Sequence, residues 1–385
     1  MKIKEMSEVL NGYAFKSSNY INEGYRVIRI TNVQSGYIED EKPVYYEFDN
    51  KLEKYKLKEN DLLISLTGNV GRCALVTKDF LPAYLNQRVC CLRINKEKVI
   101  PKFLYYILNS KKFEFDCINS SQGIAQLNMS TEWLKEYNLE IPAIELQKKI
   151  INIFDKVYNN INIKKNQINS CNNLIKSQFV EMFENKDFPY VKFKEYMDRC
   201  VDVGSNGANA TVMKHYNMTD EKDYAIVIRF INLNSGDFEK DIKYINKEDY
   251  EFYSKSKVYG NEIIFCKIGS AGMNYIMPKL SMPVTLGLNQ IMITPKNINT
   301  RYLYEYINSL EGKMYINNNI NGAVTKTITK HALWEFPIKT PPIELQNKFA
   351  NIVEQIDKQK FVNANLLQLL GKNLKRCYNN IVDFR

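Results

Sequence analysis

Histidine is scarce: among 385 residues there are two, His215 and His331. Histidine-based catalysis needs an imidazole beside a nucleophile or a metal, and two such rings leave little scope for it. The eight cysteines (Cys73, Cys90, Cys91, Cys117, Cys171, Cys200, Cys266 and Cys377) include no Cys-x-x-Cys pair. This argues against a zinc cluster and suggests free thiols in a reducing compartment rather than a disulfide framework. A Gly-x-x-x-x-Gly-Lys-Ser/Thr phosphate loop is missing: Gly312-Lys313 and Gly371-Lys372 lack both the earlier glycine and the following hydroxyl. Gly-x-Gly-x-x-Gly does not occur either. No apolar run approaches the roughly 18 residues of a membrane span, and the opening "MKIKEMSEVLNGYAF" lacks the apolar centre of a signal peptide. These absences predict a cytoplasmic chain that is not itself a catalyst.

What is present is ordinary globular composition, 45% hydrophobic and 25% charged. The length exceeds one ordinary core and predicts two or more domains. A formal net charge of +10 favours a polyanionic partner.

The chain repeats itself at a period of roughly 200 residues. "IRITNVQSG" (28–36) returns as "IRFINLNSG" (228–236), and "NDLLISLTGNVG" (60–71) as "NEIIFCKIGSAG" (261–272). "LNQ" at 85–87 matches 288–290, and "FLYYILNS" (103–110) matches "YLYEYINS" (302–309). "GIAQLNMS" (123–130) faces "GAVTKTIT" (322–329), and "IPAIELQ" (141–147) faces "TPPIELQ" (340–346). Six blocks in one order mark a tandem duplication. Within each copy, short branched strands ended by Ser-Gly and Thr-Gly turns precede a short amphipathic helix. A proline-led start then opens a long helix. The Thr-Pro-Pro-Ile segment superficially resembles an Asn-Pro-Pro-aromatic methyltransferase motif but has neither the Asn nor the aromatic.

In the first long helix, 4-3 spacing selects Ile150, Phe154, Val157, Ile161, Lys164, Ile168, Cys171, Ile175, Gln178 and Met182. In the second it selects Leu345, Phe349, Ile352, Ile356, Gln359, Asn363, Leu366, Leu370, Asn373 and Cys377. Both stripes predict a coiled-coil seam that turns polar at Lys164 and at Gln359 with Asn363. Helices of about 40 residues would make rods of about 60 Å.

The predicted fold class is α+β: two tandem β-rich domains, each followed by a long helix. The helices are expected to pair as an antiparallel coiled coil with pseudo-two-fold symmetry. The predicted division is 1–142, 143–184 (central spacer helix), 185–341 and 342–385 (C-terminal spacer helix).

The ordered set of "P-x-I-E-L-Q" helix starts, the "VLNGYAFKSSNY" opening, the "I-R-x-x-N" strands and the "L-N-Q" tripeptides resembles the specificity subunit of type I restriction–modification systems. The resemblance covers essentially the whole chain. It implies that each β-rich unit is a target recognition domain reading one half of a split double-stranded DNA site. It also implies that the helices space the domains and dock two methyltransferase subunits, with endonuclease–translocase subunits joining where the system has them. Cofactors would then sit on partners: S-adenosylmethionine on the methyltransferase, ATP and magnesium on the translocase. On B-DNA, readers one turn apart are roughly 34 Å from centre to centre. The second unit's opening, "FKEYMDRCVDVGSNGANATVMKHYNM", departs from the first, which leaves its early residues unassigned. Two other classes compete, a protein–protein adaptor and a self-contained endonuclease or methyltransferase.

The repeat sorts candidate residues. Two domains reading different half-sites cannot use identical residues as base readers, so shared residues suit the fold or phosphate contact. These are Arg29/Arg229, Asn32/Asn232, Gly68/Gly269, Gly71/Gly272 and Asn86-Gln87/Asn289-Gln290. The arginines fit ion pairs or phosphates equally. The Gly-x-x-Gly resembles a KH-domain clamp, but it follows an apolar strand instead of joining two helices. Base readers should be planar or charged donors in loops that differ between copies. Asn69 and Arg72 face Ser270 and Asn274, while Gln122, Gln126 and Asn128 face Thr325, Lys326 and Thr327. Arg88 faces Ile291, Tyr84 faces Gly287, and "SNGANATVMKHY" adds Asn206, Asn209, Lys214 and His215.

Overall fold

The structure, a computed structural model, describes residues 1–121, 127–184 and 186–382. The chain divides into two compact units, Met1–Asn166 with the segment from Asn363 onward, and Gln167–Val362. Each contains one β-rich part and a portion of both long helices.

In unit 1 the turn α1 (Ile3–Met6) leads into β1 (Ser7–Asn11), β2 (Tyr25–Ile28), β3 (Val33–Gln34), β4 (Tyr37–Ile38) and β5 (Tyr45–Tyr46). Then come β6 (Leu62–Ser65), β7 (Cys73–Leu75), β8 (Ala83–Leu85) and β9 (Val89–Ile94), and the helices α2 (Pro101–Leu108), α3 (Lys111–Ser120), α4 (Thr131–Glu136) and α5 (Ile144–Phe179). An antiparallel sheet of order β1-β9-β6-β7 stands against a second of order β5-β2-β8. Alternate residues of β6 serve two cores. Leu62 and Ile64 pack with Phe103, Leu104 and Phe113 of the helices, whereas Leu63 packs with Ile28 and Leu85 of the second sheet. A strand covered on both faces is apolar on both, which explains the consecutive Leu62, Leu63 and Ile64.

Unit 2 repeats the plan after a π-type turn (Val180–Glu184). Its elements are β10 (Tyr190–Lys192), β11 (Met197–Val201), α6 (Asn209–Lys214), β12 (Ala225–Ile228), α7 (Phe230–Ser235), β13 (Lys243–Ile245) and α8 (Lys247–Phe252). They continue with β14 (Lys257–Val258), β15 (Ile263–Cys266), β16 (Asn274–Ile276), β17 (Val284–Leu286) and β18 (Gln290–Pro295). The last are α9 (Thr300–Asn308), α10 (Leu310–Asn318), α11 (Lys330–Trp334), β19 (Pro337–Lys339) and α12 (Ile343–Val382). The sheets run β11-β18-β15-β16 and β13-β12-β17-β14. The two openings are built alike, each a helical turn followed by a strand paired to the last strand of the sheet, β1 with β9 and β11 with β18. "KIKE" at 2–5 and "KFKE" at 192–195 carry that likeness in the sequence; the units diverge only after this strand.

Strand register corrects four equivalences. Ser65 pairs with Val89, and Cys266 pairs with Gln290. Ile28 pairs with Leu85, and Ile228 pairs with Leu286. Leu85 therefore corresponds to Leu286, so the second "LNQ" lies two residues beyond the first. Tyr84 matches Thr285, Gln87 matches Leu288 and Arg88 matches Asn289. Likewise Ile64 pairs with Cys73 and Phe265 with Asn274, so Arg72 corresponds to Met273 and not to Asn274. The "I-R-x-x-N" segments are strands only as far as Ile28 and Ile228. There the asparagine folds back, and Asn32 Oδ1 accepts from the Arg29 N–H at 2.9 Å.

The repeated glutamine has a structural role in both units. Gln147 is wholly buried; its Oε1 accepts from Ile100 N at 2.9 Å and its Nε2 donates to Pro142 O at 2.8 Å. Gln346 does the same with Asn299 N (2.9 Å) and Pro341 O (2.8 Å). Ile100 and Asn299 are the N-caps of α2 and α9, so each glutamine fastens a long helix to the short one of its own unit.

In unit 1, Phe154 and Tyr158 near the start of α5 meet Tyr378 near the end of α12, the two hydroxyls lying 2.8 Å apart. In unit 2, Phe179 and Phe183 meet Phe349 near the start of α12. The helices are thus antiparallel. All ten expected seam residues of α5 and its π-type turn are buried or half-buried. In α12 eight of the ten expected seam residues, Leu345, Phe349, Ile352, Ile356, Asn363, Leu370, Asn373 and Cys377, are buried or half-buried, while Gln359 and Leu366 are exposed. At those two positions the next residue, Lys360 and Leu367, is the half-buried one. Asn363 holds the predicted polar position, buried and accepting from Lys164 Nζ at 3.3 Å. Among the described residues no helix is long and apolar enough to cross a membrane.

Candidate nucleic-acid interface

The turn after β6 needs its glycines. Gly68 and Gly71 have φ of 71° and 80°, and Gly269 and Gly272 have 87° and 86°, where side-chain-bearing residues are strained. A Cβ on Gly71 would also lie 2.7 Å from Cys117 Cβ, and one on Gly272 would lie 2.5 Å from Ile316 Cγ2.

Three loops selected separately from sequence meet beside this turn. In unit 1, Leu66 N donates to Arg88 O (3.2 Å), Met129 N to Leu66 O (2.8 Å) and Gly68 N to Leu127 O (2.8 Å). In unit 2, Lys267 N donates to Asn289 O (2.7 Å), Ile328 N to Lys267 O (3.0 Å) and Gly269 N to Lys326 O (2.9 Å). A fourth segment joins each cluster: Gln87 N donates to Tyr13 O at 2.9 Å, and Leu288 N to the Tyr216 hydroxyl at 3.0 Å.

This brings Asn69, Arg72, Gln87, Arg88 and Asn128 together in unit 1, and Ser270, Thr325, Lys326 and Thr327 in unit 2. Asn69, Gln87, Arg88, Asn128, Ser270, Thr325 and Lys326 are exposed. Arg72 is half-buried and donates to Gln34 Oε1. Thr327 is half-buried, and its N–H donates to Asn321 O at 2.8 Å. Asn209 and Lys214 are exposed on α6, just before Tyr216. Gln122 and Gln126 lie outside the described residues.

Other candidates are committed to the fold. Asn274 is buried, and its Oδ1 accepts from Asn308 Nδ2 at 2.8 Å. Asn206 spends its amide on Val203 O, Ser256 Oγ and Lys255 N, each at 2.9 Å. His215 stacks on Phe252 at 4.0 Å and meets Asp249 Oδ1 at 2.9 Å. Among the shared residues, Asn32, Asn232 and Gln290 are buried, and Gln290 Oε1 accepts from Gly287 N at 3.1 Å. Arg29 donates to Lys42 O at 3.1 Å and Arg229 donates to Asp241 O. Both arginines therefore clasp carbonyls, the alternative that neither an ion pair nor a phosphate contact anticipated.

Sequence reasoning missed the charged node beneath the unit 2 loops. Asp202 binds Lys267 Nζ at 2.8 Å, Lys330 Nζ at 3.1 Å and Ser205 Oγ at 2.9 Å. Burial alone would raise its pKa, but hydrogen bonds from Lys267, Lys330 and Ser205 outweigh it and hold the carboxyl at about 2. A carboxylate with a depressed folded pKa stabilises the fold above its unfolded pKa, and that stability goes as pH falls through the folded value. Unit 2 is expected to lose about 2 kcal/mol between about pH 4 and pH 2 through this group. Urea unfolding across that range should show the loss in the parent chain and a flatter profile in Asp202→Asn.

Each unit thus raises one cluster of differing loops on a two-sheet scaffold, and the two clusters are built on the same hydrogen-bond plan. The sequence pattern of the type I restriction modification DNA specificity domain matches residues 1–173 and 201–370. The chain belongs to this family, and its role is recognition of DNA sequence. It is 22% identical over 406 aligned positions to the type I restriction enzyme EcoBI specificity subunit of Escherichia coli, spanning 99% of this chain and 83% of the relative. It is 25% identical to the putative MjaX specificity subunit of Methanocaldococcus jannaschii, spanning 98% and 91%. The crystal structure of a type I restriction–modification S subunit from M. genitalium shares the fold with a TM-score of 0.60 at 15% identity, covering 100% of this chain and 96% of that one.

Proposed function

We propose that this chain reads a split double-stranded DNA site, one half-site per unit, and carries the enzymes that act there. The observation that supports it most is the meeting of the differing loops at one backbone position, Leu66 in unit 1 and Lys267 in unit 2. The functional division is 1–142 and 185–341 as target recognition domains, with 143–184 and 342–385 as spacer helices. The helices fix the gap, so intervening bases go unread. Two methyltransferase subunits dock on the helices and supply S-adenosylmethionine chemistry on adenine. An endonuclease–translocase with ATP and magnesium joins where the system restricts. The assembly works in the cytoplasm.

The base-reading set is Asn69, Arg72, Arg88, Gln122, Gln126 and Asn128 for one half-site. For the other it is Asn209, Lys214, Ser270, Thr325, Lys326 and Thr327. Selection from random duplexes, using the chain purified with its methyltransferase partner, should return two short motifs around a fixed unread gap. A single contiguous motif would overturn the split-site reading, and binding indifferent to salt would mark an adaptor without phosphate contacts. Arg88→Ala should cost roughly 1–3 kcal/mol at one half-site and leave the other unchanged, as expected for an arginine on guanine. Lys326→Ala should affect only the opposite half-site. Equal weakening at both by either variant would remove it from the base-reading set.

A further inference from the structure

The two loop clusters are asymmetric at matching positions. Unit 1 presents Arg72 and Gln87; at the matching positions unit 2 presents Met273 and Leu288, 45% and 39% exposed. A third apolar group stands nearby. Val324 is 98% exposed in the loop that Asn321 and Thr327 close with reciprocal backbone hydrogen bonds of 2.9 and 2.8 Å. That loop is tied to the Gly269 turn through Lys326 O, and the turn to the Leu288 loop through Lys267. Three apolar side chains thus stand on three adjoining loops, among the exposed Lys326 and the half-buried Lys267 and Lys330.

Such groups gain nothing from water, and apolar side chains exposed on adjoining loops suit a contact surface. Lys267 and Lys330 are held by Asp202, but the exposed Lys326 beside these groups favours a polyanion. In the major groove a base pair presents one apolar group to a protein, the thymine C5-methyl. We infer that unit 2 reads its half-site partly through thymine methyl groups, with Val324, Met273 and Leu288 as specificity-determining residues. The inference rests on the split-site reading above and adds the chemistry of one half. Val324 is held on a closed loop, so little ordering entropy is lost when it meets a base.

Uracil in place of thymine removes that methyl and preserves the pairing edge. The experiment measures binding of the chain–methyltransferase complex to its selected duplex, with each thymine of either half-site replaced in turn by uracil. The Lys326→Ala and Arg88→Ala variants assign half-sites to units. Uracil in the unit 2 half-site should weaken binding about fourfold for each contacted methyl, the value of one buried apolar carbon. Val324→Ala or Met273→Ala should abolish part of that sensitivity. If uracil has no effect while base-pair changes still abolish binding, the inference is overturned and the split-site reading stands. The same holds if sensitivity lies in the other half-site, or if Val324→Ala loosens the methyltransferase subunit with DNA preference unchanged. Absence of any half-site preference would instead bring down the underlying reading.

Discussion

Gln346→Leu is expected to destabilise unit 2 by about 2–5 kcal/mol although leucine fills nearly the same volume. Gln346 is 3% exposed and satisfies two buried backbone groups, Asn299 N–H and Pro341 C=O. Leaving a buried donor or acceptor unpaired costs about 1–3 kcal/mol each. The loss falls where α12 leaves the domain, so the helix start should fray as well. Chemical denaturation gives the stability, and amide exchange at Asn299 gives the local effect. Gln147→Leu should act the same way in unit 1 through Ile100 N–H. Wild-type stability in both variants would mean that water or a shifted backbone satisfies these groups and that the repeated glutamine has another purpose.

The second large effect is Gly272→Val. Two penalties add at this position. A β-branched residue at φ of 86° carries about 1–3 kcal/mol of backbone strain, and its Cβ meets Ile316 Cγ2 at 2.5 Å, an overpacking cost of about 1–3 kcal/mol. Gly269→Ala is the matched control. Its φ is 87°, but nothing lies within 4 Å of the added carbon, so only about 1–2 kcal/mol is expected. Because Gly272 closes the turn that aligns three loops, Gly272→Val should also weaken binding at one half-site more than its stability loss alone predicts. Equal losses from both variants in thermal unfolding would show that the Ile316 contact relaxes freely.

Much of this molecule could be read in its residues. The duplication was visible because each copy must solve the same packing problem, a strand covered on both faces and a helix start fastened by glutamine. The Gly-x-x-Gly turn was legible because only glycine tolerates its backbone. The α5 seam followed from 4-3 spacing. Other readings needed the fold. "LNQ" at 85–87 and 288–290 differ by a two-residue slip, which keeps every side chain on its original face; hydrophobic alternation is blind to such a slip, and only the hydrogen-bond ladder resolves it. Asn206 and Asn274 looked like loop donors because sequence shows an amide without its partners. Ser256 and Asn308, which occupy those amides, lie far along the chain. The α12 seam departs from 4-3 spacing only at Gln359 and Leu366 for a related reason: Leu366 and Leu367 are both apolar, and the packing decides that Leu367 turns inward.

The sequence by itself therefore determined the repeated architecture, the absence of familiar catalytic motifs and the family, because these rest on local patterns that recur within one chain. Tertiary structure alone decided which residues of the two copies are equivalent, which candidate side chains are exposed at the loop clusters, and that unit 2 places Met273 and Leu288 where unit 1 places Arg72 and Gln87. Those properties depend on contacts between segments distant in sequence, and the residue order does not record a partner until the chain has folded onto it.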